Sequence, residues 1–194
     1  LNLGLLAEEI KRVVEALSEL GSGETIEQLN SLLRFPDASV KKEIMKYLAK
    51  TNTPQSRIML IEQLKDKDKE VVTETIRLLG EIKCTESAVE LIKLLTATRC
   101  ENTLKEEICI VLGMIGDTKA IPALIMCLKN KGFWNFGRRT ETERVRMRAA
   151  WALRKFKGNE VEAALEAACS DNSSSVALTA KESLNIIKLE SLRS

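Results

Sequence analysis

From Leu104 to Leu128 the chain reads LKEEICIVLGMIGDTKAIPALIMCL, and its apolar positions fall into two stripes. Leu104, Ile108, Val111, Leu112 and Ile115 recur at helical spacing, so one side of a first helix is apolar. Gly113 and Gly116 then loosen the helix end, and Asp117 is placed to cap a second helix through its carboxylate. Pro122 stands early in that helix, where a missing N–H costs least. Ile121, Leu124, Ile125 and Leu128 form the second stripe. Two helices this short cannot bury both stripes against each other, so the unit requires neighbours of the same kind.

The same pattern recurs along the chain. Val40, Val71, Leu104, Val145 and Val176 occupy one slot, separated by 31, 33, 41 and 31 residues. Eight residues after each stands a leucine: Leu48, Leu79, Leu112, Leu153 and Leu184. Eleven after stand Thr51, Ile82, Ile115, Phe156 and Ile187. Twenty after stand Leu60, Leu91, Leu124 and Leu165, in the second helix. Toward the N-terminus, Val13, Ala16, Leu17, Leu20, Leu29 and Leu33 continue the register. A fixed period with helical stripes predicts an all-α fold, a right-handed α-solenoid of about five to six helical hairpins. The hairpins are expected at about 3–34, 38–65, 69–96, 103–130 and 141–169, with a terminal helix at 173–189, all in a single repeat domain spanning 1–194.

Two turns depart from the pattern. Thr53 and Gly158 replace the turn aspartate, and Lys50 to Pro54 lacks glycine, so less regular connections are expected there. Lys65 to Glu70, KDKDKE, alternates in sign and reads as a solvated loop. The long spacing before Val145 places an insertion at 131–140, inside KNKGFWNFGRRTETE. Its Phe133, Trp134 and Phe136 either plug the gap between hairpins or form an exposed patch for a partner.

The LGMIGDTKAIPALIMCL run resembles HEAT-like repeats, as do VVTETIRLLGEIKCTESAVELIKLL before it and RMRAAWALRKFKGNEVEAAL after it. The variety it is most similar to is the short bacterial kind of phycocyanobilin-lyase-like proteins. The resemblance extends from about Val13 to Ile187 and rests on packing residues, so it implies a fold rather than an activity.

Composition narrows the function. Charged residues make up 30% and aromatics 4%, as suits stacked helices sealed by aliphatic side chains. No apolar run is long enough to cross a bilayer, and no signal peptide is apparent. A chain beginning at Leu1 reads as part of a larger one. Five cysteines, none in a Cys-x-x-Cys pair, and no histidine argue against a disulfide framework and a zinc site, and for a reducing cytoplasm. The family resemblance makes bilin attachment through a cysteine conceivable, but nothing local marks any of the five, and no cofactor is expected.

The net charge of +2 hides one basic band. Residues 129–157 hold ten Lys and Arg against Glu141 and Glu143, a net +8, whereas 1–128 and 158–194 each carry −3. On a helix expected at 141–157, Arg144, Arg148, Trp151 and Lys155 share one side, next to Arg138 and Arg139 of the insertion. Trp151 could stack a base or hold its flanking cations, or the cations could simply cover apolar surface with their stems.

Three functions follow from these residues. The first is a non-catalytic scaffold binding a protein partner through the concave face of its second helices. The second is nucleic-acid or other polyanion binding through the band, an acidic protein face being the related case. The third is an enzyme: alkylpurine DNA glycosylases are also built from HEAT-like repeats, and Trp134, Trp151 and Arg148 could be pressed into that role. No Asp or Glu matches a catalytic motif there, Asp117 being explained as a cap, and no nucleophile–base pair can be named. The reading is therefore no enzyme. Candidate binding residues are Phe133, Trp134, Phe136, Arg138, Arg139, Arg144, Arg148, Trp151 and Lys155, with no catalytic or metal residues.

Overall fold

The computed structural model describes residues 8–10, 12–16, 29–130 and 139–192, with the side chains of 139–141 outside that description. The insertion aromatics Phe133, Trp134 and Phe136, and Arg138, lie outside the described residues. Every regular element described is helical, and the α-solenoid class expected from the period is the class observed. The chain divides into two compact units, 1–86 and 87–194.

The N-terminal unit contains α1 (Ala38–Thr51), α2 (Pro54–Glu62) and α3 (Lys69–Glu81), preceded by helical stretches at 12–16 and 29–32. Each helix starts where the side chain before it can take up free backbone N–H groups. Asp37 accepts from the N–H of Ser39 at 2.8 Å and of Val40 at 3.2 Å. Thr53 accepts from Ser56, and Asp68 from Glu70 at 2.8 Å. The core is the predicted stripe: Val40, Ile44, Leu48, Leu60, Val71, Ile76 and Leu79 are fully buried. At the first helix the register is one residue off. Val14 is buried, whereas Val13 is 51% exposed and Ala16 is exposed as well.

The turn after α1 is more regular than expected. Asn52 adopts a left-handed conformation (φ 49°) and donates its N–H to the Leu48 carbonyl at 3.0 Å, and Thr53 caps α2 at once. Asparagine tolerates this region better than most residues, so it replaces the missing glycine. The segment 65–70 is likewise not merely solvated. Asp66 is paired with Lys41 of α1, the two side chains only 12% and 14% exposed, and Asp68 caps α3.

The C-terminal unit contains α4 (Ala88–Thr96), α5 (Asn102–Ile115), α6 (Ile121–Lys129), α7 (Arg139–Leu153), α8 (Asn159–Ala168) and α9 (Ser174–Ser191). After α5, Gly116 closes the helix in the left-handed region (φ 75°), with its N–H on the Leu112 carbonyl, and Asp117 accepts from the N–H of Lys119 at 2.9 Å. The expected cap is therefore present, and it serves a 3₁₀ turn at Thr118–Ala120 that leads into α6. Leu91, Leu112, Leu124, Leu153 and Leu165 are fully buried, and Phe156 and Ile187 nearly so. First helices pack against first helices: α5 against α7, and α7 against α9.

Candidate functional site

The basic band folds onto α7, which runs from Arg139 to Leu153 rather than to 157. Lys155 thus lies past the helix end, where the N–H groups of Lys155 and Phe156 close a tight turn on the carbonyls of Ala152 and Leu153. It is exposed but does not share a helical face with Arg144, Arg148 and Trp151.

Packing has redistributed the band's charge. Arg144, 56% exposed, reaches back to the Glu106 carboxylate of α5 at 2.9 Å. Arg146 is 8% exposed and paired with Asp171, ahead of α9. Asp171 also accepts the N–H of Ser173 at 2.9 Å, so one carboxylate neutralises the guanidinium and fixes the turn into α9. Arg148 is half-buried, its Nε enclosed without a hydrogen-bond partner among the described residues. Trp151 is half-buried, and the cation over its ring is Arg154, 4.3 Å from the centroid. At that distance the contact is a cation–π pair. Arg139 belongs to α7 by its backbone. The structure therefore brings Arg144, Arg148 and Trp151 together on α7 and leaves Lys155 apart.

Ile125, which belongs to the second apolar stripe by spacing, is half-exposed between two clefts on the second helices. The first, about 690 Å³, lies between α4 and α6 and reaches the starts of α5 and α7. Leu95 and Val145 are buried side chains in its wall, and Pro122, Ile125 and Met126 form an apolar ridge. Its charged lining residues are Lys105 and Lys129. The second cleft, about 480 Å³, runs between α6 and α8 and shares Pro122, Ile125 and Lys129 with the first. A slot rule marks this face: eighteen residues after the Val71, Leu104 and Val145 slots stand Val89, Pro122 and Ala163, each apolar and exposed, and in the N-terminal unit the same position holds the exposed Ile58. That regularity was available in the sequence, but a period of burial carries no sign of which apolar positions stay wet.

Cys127 lines the first cleft. A hydrogen bond from the Cys109 thiol pulls its acidity up, burial opposes this, and the nearby Lys105 ammonium adds to the effect, so its pKa is lowered. Cys109 is pushed the other way by that hydrogen bond and by burial. All five cysteines are free, and among the described residues no cluster of three His, Cys, Asp or Glu side chains could hold a metal ion. None of the described helices is long and apolar enough to cross a membrane.

Stacked hairpins with αL turns, aspartate caps and a leucine at one slot in each copy define a HEAT-type α-solenoid. Comparison with known proteins agrees. The HEAT-repeat family profile matches residues 8–76 and 58–135, and the PBS lyase HEAT-like repeat matches 145–171. The chain belongs to the HEAT-repeat family. No curated protein matches it. Among solved structures it is similar to two engineered proteins, each 23% identical. One aligns over 94% of this chain and 92% of its own at a TM-score of 0.52, the other over 92% and 54% at 0.51. It is also similar to a designed armadillo repeat protein, 17% identical over 93% and 94% of the two chains, at a TM-score of 0.50.

Proposed function

We propose that this chain is a non-catalytic interaction module that binds a protein partner through the second-helix face of its HEAT repeats. The observation carrying this reading is the exposed apolar residue at one repeat slot in each unit, Val89, Pro122 and Ala163 in the C-terminal unit, where two clefts adjoin Pro122, and Ile58 in the N-terminal unit. Exposing an apolar side chain at the same place in successive repeats forgoes burial free energy each time, which is what a surface awaiting a partner does. Helical-repeat folds commonly serve as such scaffolds. The insertion aromatics Phe133, Trp134 and Phe136, with Arg138 and Arg139, are proposed to extend the contact.

A photo-crosslinking amino acid at position 126, where Met126 is 50% exposed, tests the reading against the same group at Glu107, exposed on α5. The expected result is a crosslinked protein at 126 that persists in high salt, and none at 107. Equal capture at both positions would overturn the reading.

Polyanion binding through the band is the second reading, supported by Arg148, Lys155 and Lys157 and by the insertion arginines. It has less free charge to work with than the +8 of the sequence, because Glu106 and Asp171 engage Arg144 and Arg146. Heparin or DNA retention that falls steeply with salt would favour it, since each neutralised phosphate releases a counterion.

A further inference from the structure

One ion pair recurs in the repeats, and one copy of it lacks its acid. A first-helix cation one residue past the slot pairs with an aspartate 25 residues later. Lys41 pairs with Asp66 and Arg146 with Asp171. In each case the same aspartate also accepts the N–H two residues on, Asp68 at 2.8 Å and Ser173 at 2.9 Å. Of the two intervening hairpins, one has Val72 and Ala97 at the equivalent positions and the other has Lys105 and Asn130. In the latter the cation is kept and the carboxylate has become an amide. Lys105 forms no ion pair among the described residues, and it stands in the wall of the larger cleft with Lys129. Among the described residues no carboxylate lines that cleft, while Pro122, Ile125 and Met126 offer apolar surface alongside.

We propose that this cleft docks an acidic, aliphatic-containing peptide segment of the partner, one of whose carboxylates takes the place beside Lys105 that Asp66 and Asp171 hold in their own repeats. A second carboxylate meets Lys129, and an aliphatic side chain lies on the Pro122–Ile125–Met126 ridge. The chemistry is complementary on both counts. A half-buried ammonium such as that of Lys105 attracts a carboxylate more strongly than a fully hydrated one does, the exposed Lys129 adds a second positive charge, and the ridge supplies contact that salt does not weaken. The proposal rests on the interaction-module reading and adds to it the chemical class of the bound segment.

The test uses the whole chain and a displayed library of random peptides, selected on the wild-type protein and on Asn130→Asp. That substitution restores the missing carboxylate within the chain, where it pairs Lys105 as Asp66 pairs Lys41. Enriched peptides should combine Asp or Glu with Leu, Ile or Met. A synthetic copy of the strongest should bind Asn130→Asp and Lys105→Gln about tenfold more weakly than wild type. Its Asn/Gln counterpart should bind weakly to all three. Circular dichroism and thermal melting confirm that the variants remain folded. Binders that are neutral or basic and indifferent to Asn130→Asp would overturn the proposal and leave the interaction module standing. An absence of any binder sensitive to Met126→Asp would overturn both. Self-association of the chain that an acidic peptide does not displace would assign the cleft to a second copy and also overturn the proposal.

Discussion

Two seams between first helices, α1 against α3 in the N-terminal unit and α5 against α7 in the C-terminal one, are built to the same repeat pattern and filled differently. In the first, the Met45 sulfur lies 3.4 Å from the Thr75 hydroxyl, which also donates to the Val71 carbonyl at 2.7 Å. Ala49, nine residues after the slot, is accommodated at 8% exposure. In the second, the same slot holds Gly113, and a Cβ there would come within 2.9 Å of both Cα and Cβ of Ala152. The facing helix is small-sided, with Ala149, Ala150 and Ala152 fully buried. The leucines fix where a helix sits in the stack. The residues between them decide how closely two helices approach, through a flexible thioether in one seam and nearly backbone to backbone in the other.

The comparison is broken most forcefully at the common leucines. Leu48→Ala and Leu112→Ala should each cost about 2–5 kcal/mol in urea unfolding, since both are fully buried. A large difference between them would mean that the slots are not equivalent.

The seams themselves should then separate. Gly113→Ala should destabilise by about 1–3 kcal/mol through overpacking, which exceeds the roughly 1 kcal/mol that helix propensity returns. Ala49→Gly should cost only about 0.5–1 kcal/mol. A stabilised Gly113→Ala protein would show that α5 and α7 can part without loss.

Their ion pairs give a smaller contrast. Arg144→Ala strands Glu106, whose side chain is 12% exposed, and should cost about 1–3 kcal/mol. Lys42→Ala frees a Glu70 side chain already 74% exposed and should cost about 0–1 kcal/mol. Matched melts of the two variants measure the difference.

The last effect is one of pH. Burial tends to raise the pKa of Asp66, but hydrogen bonds from the Lys41 ammonium and the Asp68 N–H outweigh it and hold the carboxyl below its ordinary value. Its stabilisation is complete above the unfolded carboxylate pKa and is lost as pH falls through the lower folded one. Asp66→Asn should therefore flatten the acid limb of the N-terminal unit's stability profile, and an unchanged limb would mean that the pair is inert.

Much of this architecture was legible because burial is periodic. Every leucine twenty residues after a slot is fully buried, and Asp117 caps where its position implied. Where spacing misled, a polar partner from outside the local pattern had decided the matter. Arg146 reads as one more surface cation until Asp171 is known to meet it, although the interval from Lys41 to Asp66 repeats it exactly as far along the chain. Lys155 was placed on a helical face that ends two residues earlier, since no breaker stands at Leu153. The clefts were invisible for a different reason. Ile125 fits a buried stripe as well as a wet one, and only the neighbouring helices determine which it is.

The two seam ion pairs also have opposite polarity. In one seam the earlier helix carries the cation, Lys42, and the later helix the acid, Glu70; in the other the earlier helix carries Glu106 and the later one Arg144. Hairpins alike enough to share a leucine register could be misfiled during folding, each lodging where a sibling belongs. Were α1 to settle in the place of α5, Lys42 would confront Arg144, and α5 in the place of α1 would set Glu106 against Glu70. Like charges at those positions penalise the swap, so the alternation of sign works as an address label on otherwise interchangeable parts.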